Sequence, residues 1–282
     1  AHMQEDIAII GMGCRFPDAQ NPEEFWNNII NKKSSIIEVP TDRWDPKLFW
    51  NPDPTQEDKT YAKIGGFIRS FSFEPKTFRI PPLILEQIDL VQQIALSSTA
   101  DALIDAGYDK KSFDRSRTAV ILGNSMGGEV SQDYTLRTRL PELEQAFLRD
   151  PTIQALDEQS RTDLLTRVRA DIKSTLPDIN SDSMPGELSN VIAGRVANAF
   201  DFNGPNYTLD AACASSIAAI QASIKGLRDG EFDMVVTGGA DHSMGVPTYV
   251  KFSKIGALSP THSSPFDQRA NGFVMGEGCG IL

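Results

Sequence analysis

Residues 208–220, Thr-Leu-Asp-Ala-Ala-Cys-Ala-Ser-Ser-Ile-Ala-Ala-Ile, place Cys213 where an extended run changes into a helical one. The residues from Tyr207 are typical of a strand, and from Ser215 the apolar residues recur at helical intervals. That recurrence predicts one buried helical stripe, formed by Ile217, Ile220, Ile224 and Leu227. A helix N-terminus presents unpaired N–H groups and a positive potential, which favour a thiolate and can hold an oxyanion. From these residues alone, Cys213 is equally well interpreted as a packed core cysteine or as a nucleophile.

Working outward, short β-branched runs alternate with helical stretches, which indicates an α/β fold with a mainly parallel sheet. The predicted strands are Asp6–Ile10, Thr118–Leu122, Tyr207–Ala211 and Met234–Thr237. The predicted helices are Glu23–Asn31, Leu83–Ala106, Gln154–Ser174, Glu187–Phe200 and Ser215–Arg228. The polar or proline-containing segments 40–66 and 132–182 are predicted to be surface insertions.

Composition sets broad limits on function. The chain has 282 residues, 40% of them hydrophobic, so it can build a real core in one large domain or two ordinary ones. A formal charge of −11 argues against non-specific binding to nucleic acid or to anionic membranes. Three widely spaced cysteines suggest neither a disulfide framework nor a zinc site, and no apolar run approaches the length of a membrane span. We therefore expect a cytoplasmic protein.

Other candidate motifs are weak. Gly11-Met-Gly-Cys-Arg-Phe16 follows a predicted strand, but Phe16 replaces the third glycine of a dinucleotide-binding turn, so we predict a tight turn with Cys14 buried. The opening Ala-His-Met is interpreted as a cloning scar, residues 1–3.

The remaining ionisable residues do not form an obvious catalytic set. His242 could face a cavity, whereas His262 lies in a turn-rich stretch and is predicted to be solvated. Neither is preferred as a general base. Asp241, Asp267 and Glu277 share no spacing that would place two carboxylates on one face.

A series of motifs nevertheless resembles the β-ketoacyl synthases, in particular those of type I polyketide and polyunsaturated-fatty-acid synthases. Leu209-Asp-Ala-Ala-Cys-Ala-Ser-Ser216 resembles their nucleophile motif. The other motifs occur in the family's order: Ile7–Pro17, Asn21–Trp26, Pro40–Asp45, Gly65–Phe67, Ala102–Tyr108, Asn190–Asn198, Gly204–Pro205, Gly238–Ala240, Gly256–Pro260, Pro265–Asp267 and Gly276–Gly278. The resemblance covers residues 4–282.

The resemblance implies a thiolase-like layered fold (αβαβα), with the first half complete in residues 4–262 and the second only begun in residues 263–282. It implies a decarboxylative Claisen condensation in which Cys213 accepts an acyl chain from an acyl carrier protein. It places Met126 and Phe252 on the wall of the acyl pocket. No metal or nucleotide cofactor is expected, because phosphopantetheine carries the substrates. A homodimer within a multidomain synthase is the expected assembly.

The sequence also departs from the family pattern. The family's two histidine motifs and its lysine are absent, so we expect this chain to be the N-terminal two-thirds of a synthase domain. We further expect residues 1–282 alone to be poorly stable or to associate with the remainder. Two alternatives stay open: a non-catalytic partner subunit that shapes the chain-length pocket, and a cysteine acyl hydrolase or a thiolase.

Overall fold

The structure is a computed structural model that describes residues 6–282, so the interpretation of residues 1–3 as a cloning scar lies outside the described residues. A five-stranded mixed sheet with strand order β1-β7-β6-β4-β5 forms its centre. The strands are β1 (Gly13–Arg15), β2 (Ile36–Glu38), β3 (Ile64–Gly66), β4 (Thr118–Gly123), β5 (Asn206–Leu209), β6 (Met234–Asp241) and β7 (Gly278–Ile281). Strand β4 runs parallel to both β5 and β6, whereas β7 is antiparallel to β6 and β1. Strands β2 and β3 form a separate antiparallel pair.

Helices cover the sheet on both faces. They are α1 (Pro22–Ile30), α2 (Pro46–Phe49), α3 (Leu90–Asp105), α4 (Val130–Thr138), α5 (Leu140–Phe147), α6 (Pro151–Gln154), α7 (Glu158–Ser174), α8 (Ser183–Glu187), α9 (Ser189–Phe200), α10 (Ser215–Arg228) and α11 (Val246–Lys254). Two 3₁₀ helices span Pro75–Phe78 and Pro82–Gln87. Helices α3 and α9 pack on one face of the sheet with Val120 and Leu122, and α10 packs on the other with Ala119 and Ile121.

Helix α10 packs on the sheet with small side chains. Its buried residues are Ser215, Ala219, Ser223 and Gly226, while Ile217 in the predicted stripe is 66% exposed. The predicted stripe is therefore only partly buried: Ile220, Ile224 and Leu227 are half-buried, and Leu227 packs against the buried cluster that contains Phe232. Small residues let the helix backbone approach the strands closely: a Cβ built on Gly123 would lie only 2.3 Å from the Ser215 carbonyl carbon.

The first predicted strand was also wrong. Residues 6–12 have no regular secondary structure, and the extended segment that pairs is β1, which starts at Gly13. Ile9 is 65% exposed, and no described residue forms a ladder beside this run. Gly13 instead lies against α3, where a Cβ would stand 1.9 Å from the Ser98 carbonyl oxygen.

The predicted helix 83–106 divides at Asp89. Pro81 and Pro82 favour the short 3₁₀ helix, and the Asp89 carboxylate then accepts the Val91 N–H at 2.8 Å, which caps α3 at Leu90. The same type of cap, at Asp157, starts α7 later than the predicted Gln154.

Segment 40–66 is not a simple surface insertion. Trp44 and Ala62 are buried in a second hydrophobic cluster with Met244 and Tyr249. The Trp44 indole N–H donates to the Met244 carbonyl at 3.2 Å. By contrast, segment 132–182 forms mainly surface helices, and α7 has no buried residue.

Candidate active site

A strained elbow carries Cys213 from β5 into α10. Ala212 has a φ of +50°, a left-handed conformation that is uncommon for a residue with a Cβ. Its N–H donates to Asp210 Oδ1 at 2.8 Å, and its carbonyl accepts Ser215 Oγ at 2.6 Å. Ser215 Oγ also accepts the Ala211 N–H at 2.9 Å. These bonds keep the elbow closed and present Cys213 to solvent.

The elbow lies at the carboxyl edge of the parallel strands, where α/β proteins usually bind ligands. A cavity of about 1010 Å³ opens there, and Cys213, Met126 and Phe252 all line it. The structure thus brings the three residues predicted from sequence into one cavity.

The backbone beside the thiol is free to bind an anion. Within residues 6–282 the Cys213 N–H donates no hydrogen bond, and α10 starts two residues later without a side-chain cap. An oxyanion next to the Cys213 N–H would be stabilised by a donor that has no internal partner and by the positive potential at the N-terminus of α10.

The other two cysteines are in a different environment. Cys14 and Cys279 are buried, and burial raises their thiol pKa values to about 11 and about 12. The prediction that Cys14 is buried is therefore confirmed.

Met126 is held in place by the residue two positions before it. Met126 is 59% exposed, with a φ of +69°. The buried Asn124 side chain donates to Ala240 O at 2.9 Å and to Gly127 O at 3.2 Å. It accepts the Gly127 N–H at 3.1 Å and the Ser189 hydroxyl at 2.6 Å. The amide thereby closes the turn that directs the strained Met126 backbone.

Phe252 lies on the partly buried side of α11. Its ring meets the Phe273 ring edge-on, with centroids 5.3 Å apart. The two rings give this part of the cavity an apolar wall.

A buried ion cluster lies beside the cavity. Arg43 donates to both carboxylate oxygens of Glu277, at 2.8 and 2.9 Å, and to Glu129 at 3.2 Å. The same guanidinium is 3.0 Å from His242 Nε2, and His242 Nδ1 is 3.4 Å from the Asp89 carboxylate. The cluster joins residues that are distant in sequence and ties the start of α4 to β7.

Electrostatic interactions inside this cluster oppose desolvation. Burial favours neutral imidazole, but Asp89, Glu129 and Glu277 together raise the pKa of His242. Burial likewise works against the charged carboxylate of Asp89, but His242 and the backbone N–H groups lower its pKa. His242 thus faces an ion cluster rather than an open cavity, and His262 is exposed as predicted.

Asp241 and Ser243 add a polar spot to the cavity wall. Burial raises the pKa of Asp241 to about 6, with the Glu277 charge adding to the effect and the Ser243 N–H, at 3.3 Å, opposing it. Strand pairing places Asp241 opposite Gly278, next to Glu277. The sequence spacing of Asp241 and Glu277 did not indicate this proximity, which results from the pairing of β6 with β7.

Sequence reasoning missed Asn124, Ser243 and the roles of Arg43 and Asp89. Asn124 did offer a signal, because it is a polar amide directly after the fully buried β4. The ion cluster offered none, since its members meet only through tertiary packing.

Among residues 6–282, no group of acidic, histidine or cysteine side chains is arranged to hold a metal ion. No helix in the same range combines the length and apolar character needed to cross a membrane.

Known proteins with similar sequences and structures are synthases. Residues 4–282 match the family described as beta-ketoacyl synthase, N-terminal domain. The chain is 33% identical to a polyunsaturated fatty acid synthase polypeptide of Thraustochytrium sp., covering 99% of the chain and 10% of that protein. It is also 33% identical to a phenolphthiocerol/phthiocerol polyketide synthase polypeptide of Mycobacterium bovis, covering 99% of the chain and 13% of that protein.

Solved structures lead to the same family. The oxazolomycin ketosynthase domain of Streptomyces albus superposes with a TM-score of 0.73 at 29% identity, covering 97% of this chain and 41% of that one. The ketosynthase from module 6 of the bacillaene synthase of Bacillus subtilis superposes with a TM-score of 0.70 at 26% identity, covering 98% and 39%. The predicted thiolase-like layered α/β fold is confirmed. The chain spans about a tenth of the two curated relatives and about two-fifths of the solved chains.

Proposed function

Since the chain belongs to the β-ketoacyl synthase family through the family's N-terminal domain, we propose that it loads an acyl group onto Cys213 for a decarboxylative condensation. The acyl group arrives as a thioester on the phosphopantetheine arm of an acyl carrier protein. The observation that carries the proposal is the position of Cys213, exposed on a strained elbow at the N-terminus of α10 and open to the cavity.

In the loading step, the Cys213 sulfur attacks the thioester carbonyl carbon and forms a new carbon–sulfur bond. The bond to the pantetheine sulfur breaks, and the leaving thiolate takes up the proton that Cys213 has lost. The Cys213 N–H donates to the oxyanion that forms between these two events. No metal, nucleotide or redox partner is needed for this exchange.

Met126 and Phe252 form the wall along which we place the acyl chain. Both side chains line the cavity of Cys213, and both present apolar surface to it. The Asn124 turn positions Met126, and the Phe273 ring supports Phe252.

The second half of the reaction forms the carbon–carbon bond. In the family, malonyl on a carrier loses CO₂ and the resulting enolate attacks the cysteine thioester to give a β-ketoacyl product. We assign decarboxylation to no residue of this chain, because His242 is engaged by Arg43 and Asp89, and His262 by Thr261 and Arg269.

The remaining assignments follow the family. We propose a homodimer that works in the cytoplasm with an acyl carrier protein and other domains of a multidomain synthase. The division at residue 262 stays a prediction. An exposed cysteine at the elbow favours a catalytic chain over a non-catalytic partner subunit, since such partners usually lack this cysteine.

Intact mass spectrometry tests the proposal. The protein is incubated with hexanoyl-pantetheine, and one hexanoyl group should add to the parent but not to Cys213→Ala. Cys279→Ala is the matched control, because it removes a thiol that is buried and does not line the cavity. Equal labelling of the parent and Cys213→Ala would show that the proposal is wrong.

The same reaction separates loading from hydrolysis. Loading leaves a stable thioester on the protein and releases one equivalent of pantetheine. Continued release of free hexanoic acid beyond one equivalent would instead identify a cysteine acyl hydrolase.

A further inference from the structure

Ser243 has a buried hydroxyl with unused hydrogen-bonding capacity. The residue is 4% exposed, and its Oγ has no hydrogen-bond partner within the described range 6–282. The hydroxyl lies close enough to the Asp241 carboxyl to lower its pKa, but the two groups do not meet the distance and angle of a hydrogen bond. Because buried hydroxyls in folded proteins nearly always find a partner, this atom calls for one from outside the chain.

Asp241 and Ser243 lie on the side of the cavity that also contains Cys213. Side chains alternate between the faces of a strand, so Asp241 lies on the same face of β6 as Gly239. A Cβ built on Gly239 would stand 2.8 Å from the Ser216 Cβ, in the first turn of α10. Asp241 is about 7 Å farther along the strand. Asp241 therefore lies past the N-terminus of α10, where Cys213 is located. Asp241 and Cys213 both line the same cavity.

Two other polar side chains on the cavity wall are already satisfied. Both Glu277 oxygens accept bonds from Arg43. The Asn124 amide uses its two N–H donors and accepts two hydrogen bonds. Asp241 accepts only the Ser243 N–H, at 3.3 Å. Of the described residues that line the cavity, Ser243 is the one with a buried side-chain atom that lacks a hydrogen-bond partner, and Asp241 lies beside it.

We propose that the acyl chain carried on Cys213 bears a hydroxyl group, and that Asp241 and Ser243 bind it. A hydroxyl both donates and accepts, so it can donate to the Asp241 carboxylate while accepting from Ser243 Oγ. A saturated chain leaves the Ser243 hydroxyl unpaired and offers Asp241 no further donor, and a ketone oxygen cannot donate to Asp241. This inference deepens the proposed function and rests on acyl loading at Cys213.

The test compares pantetheine thioesters of equal chain length. Initial rates of Cys213 acylation are measured by intact mass for hexanoyl, 3-oxohexanoyl, and 3-, 4- and 5-hydroxyhexanoyl thioesters. We expect one hydroxy isomer to load about tenfold more efficiently than hexanoyl, the size of effect that one added hydrogen bond produces. In Ser243→Ala this ratio should fall to about one.

Two further variants separate recognition from stability. Asp241→Asn keeps an acceptor in place and should retain part of the preference, whereas Asp241→Ala should lose it. Ser223→Ala removes another buried serine hydroxyl, on the face of α10 that packs against the sheet, and should keep the full preference.

Each contrary result has a definite meaning. If hexanoyl loads onto Cys213 and no hydroxy isomer is preferred, the inference is wrong and the proposed function stands. If the 3-oxo thioester matches the best hydroxy isomer, donation to Asp241 plays no part and the inference is also wrong. If no thioester acylates Cys213, the proposed function itself fails.

Discussion

Replacing Asp241 by asparagine should stabilise the protein at neutral pH, because it removes a charge that folding desolvates. Asp241 is partly buried at the end of β6, beside the negatively charged Glu277. Burial is the larger cause, and together the two raise the pKa of Asp241 from 3.8 to about 6. The Ser243 N–H, which donates to it at 3.3 Å, the Ser243 side chain and the charge of His242 lower this pKa but do not offset the burial.

The sign of the effect follows from proton linkage. Between pH 3.8 and about 6 the folded protein keeps the Asp241 proton while the unfolded chain releases it. The parent therefore loses stability as the pH rises through this window, by about 1.4 kcal/mol for each pH unit. The whole loss is about 3 kcal/mol, and about 2 kcal/mol of it develops between pH 4.5 and 7. Asparagine does not titrate, so Asp241→Asn escapes this loss.

Urea unfolding of the parent and Asp241→Asn at pH 4.5, 5.5, 6.5 and 7 measures the difference directly. The stability advantage of the variant should grow by about 2 kcal/mol across the series. Asp157→Asn is the control of opposite sign, because hydrogen bonds from Ser160 lower the pKa of Asp157. That variant should be less stable than the parent at pH 7 and should regain parity at acid pH. An Asp241→Asn advantage that is constant with pH would refute the desolvated-carboxyl explanation.

Three further outcomes are expected. Iodoacetamide at pH 8 should modify Cys213 alone in the native protein and all three cysteines in urea. The reason is that burial in the native protein raises the pKa values of Cys14 and Cys279 to about 11 and about 12. Peptide mass mapping identifies the modified cysteines. Gly123→Ala should slow acylation of Cys213 by about a hundredfold, because the added Cβ would collide with the first residue of α10. Intact mass spectrometry under single-turnover conditions measures this rate, and an unchanged rate would disprove the close contact. His242→Gln should lower the free energy of unfolding by about 3 kcal/mol at pH 6 by breaking the buried ion cluster. The imidazole contributes fully below pH 6.5 and loses its contribution as the pH rises through its raised pKa, so urea unfolding at pH 9 should show a smaller difference.

Local sequence signals predicted those features that depend on nearby residues. The strand–elbow–helix around Cys213 was predicted because β-propensity, small residues and helical periodicity follow one another within a short stretch. The failures have local explanations too. The isoleucines of residues 7–10 resemble a strand by composition, but a strand also needs a neighbouring strand. In α10 the fully buried residues are small, so the periodicity of the large apolar residues marked a neighbouring, half-buried face.

By itself, the sequence determined the α/β class, the family, and the presence of Cys213 at a helix N-terminus, because each of these is encoded in contiguous residues. Only the tertiary structure decided what lines the cavity of that thiol and what lies beside the cavity. Arg43, Asp89, His242 and Glu277 meet in one ion cluster, and Ser243 is left with an unpaired hydroxyl in the cavity. These contacts depend on strand register and helix packing, and Arg43 and Glu277 are 234 residues apart in the sequence. A pattern within a short stretch of sequence does not contain that information.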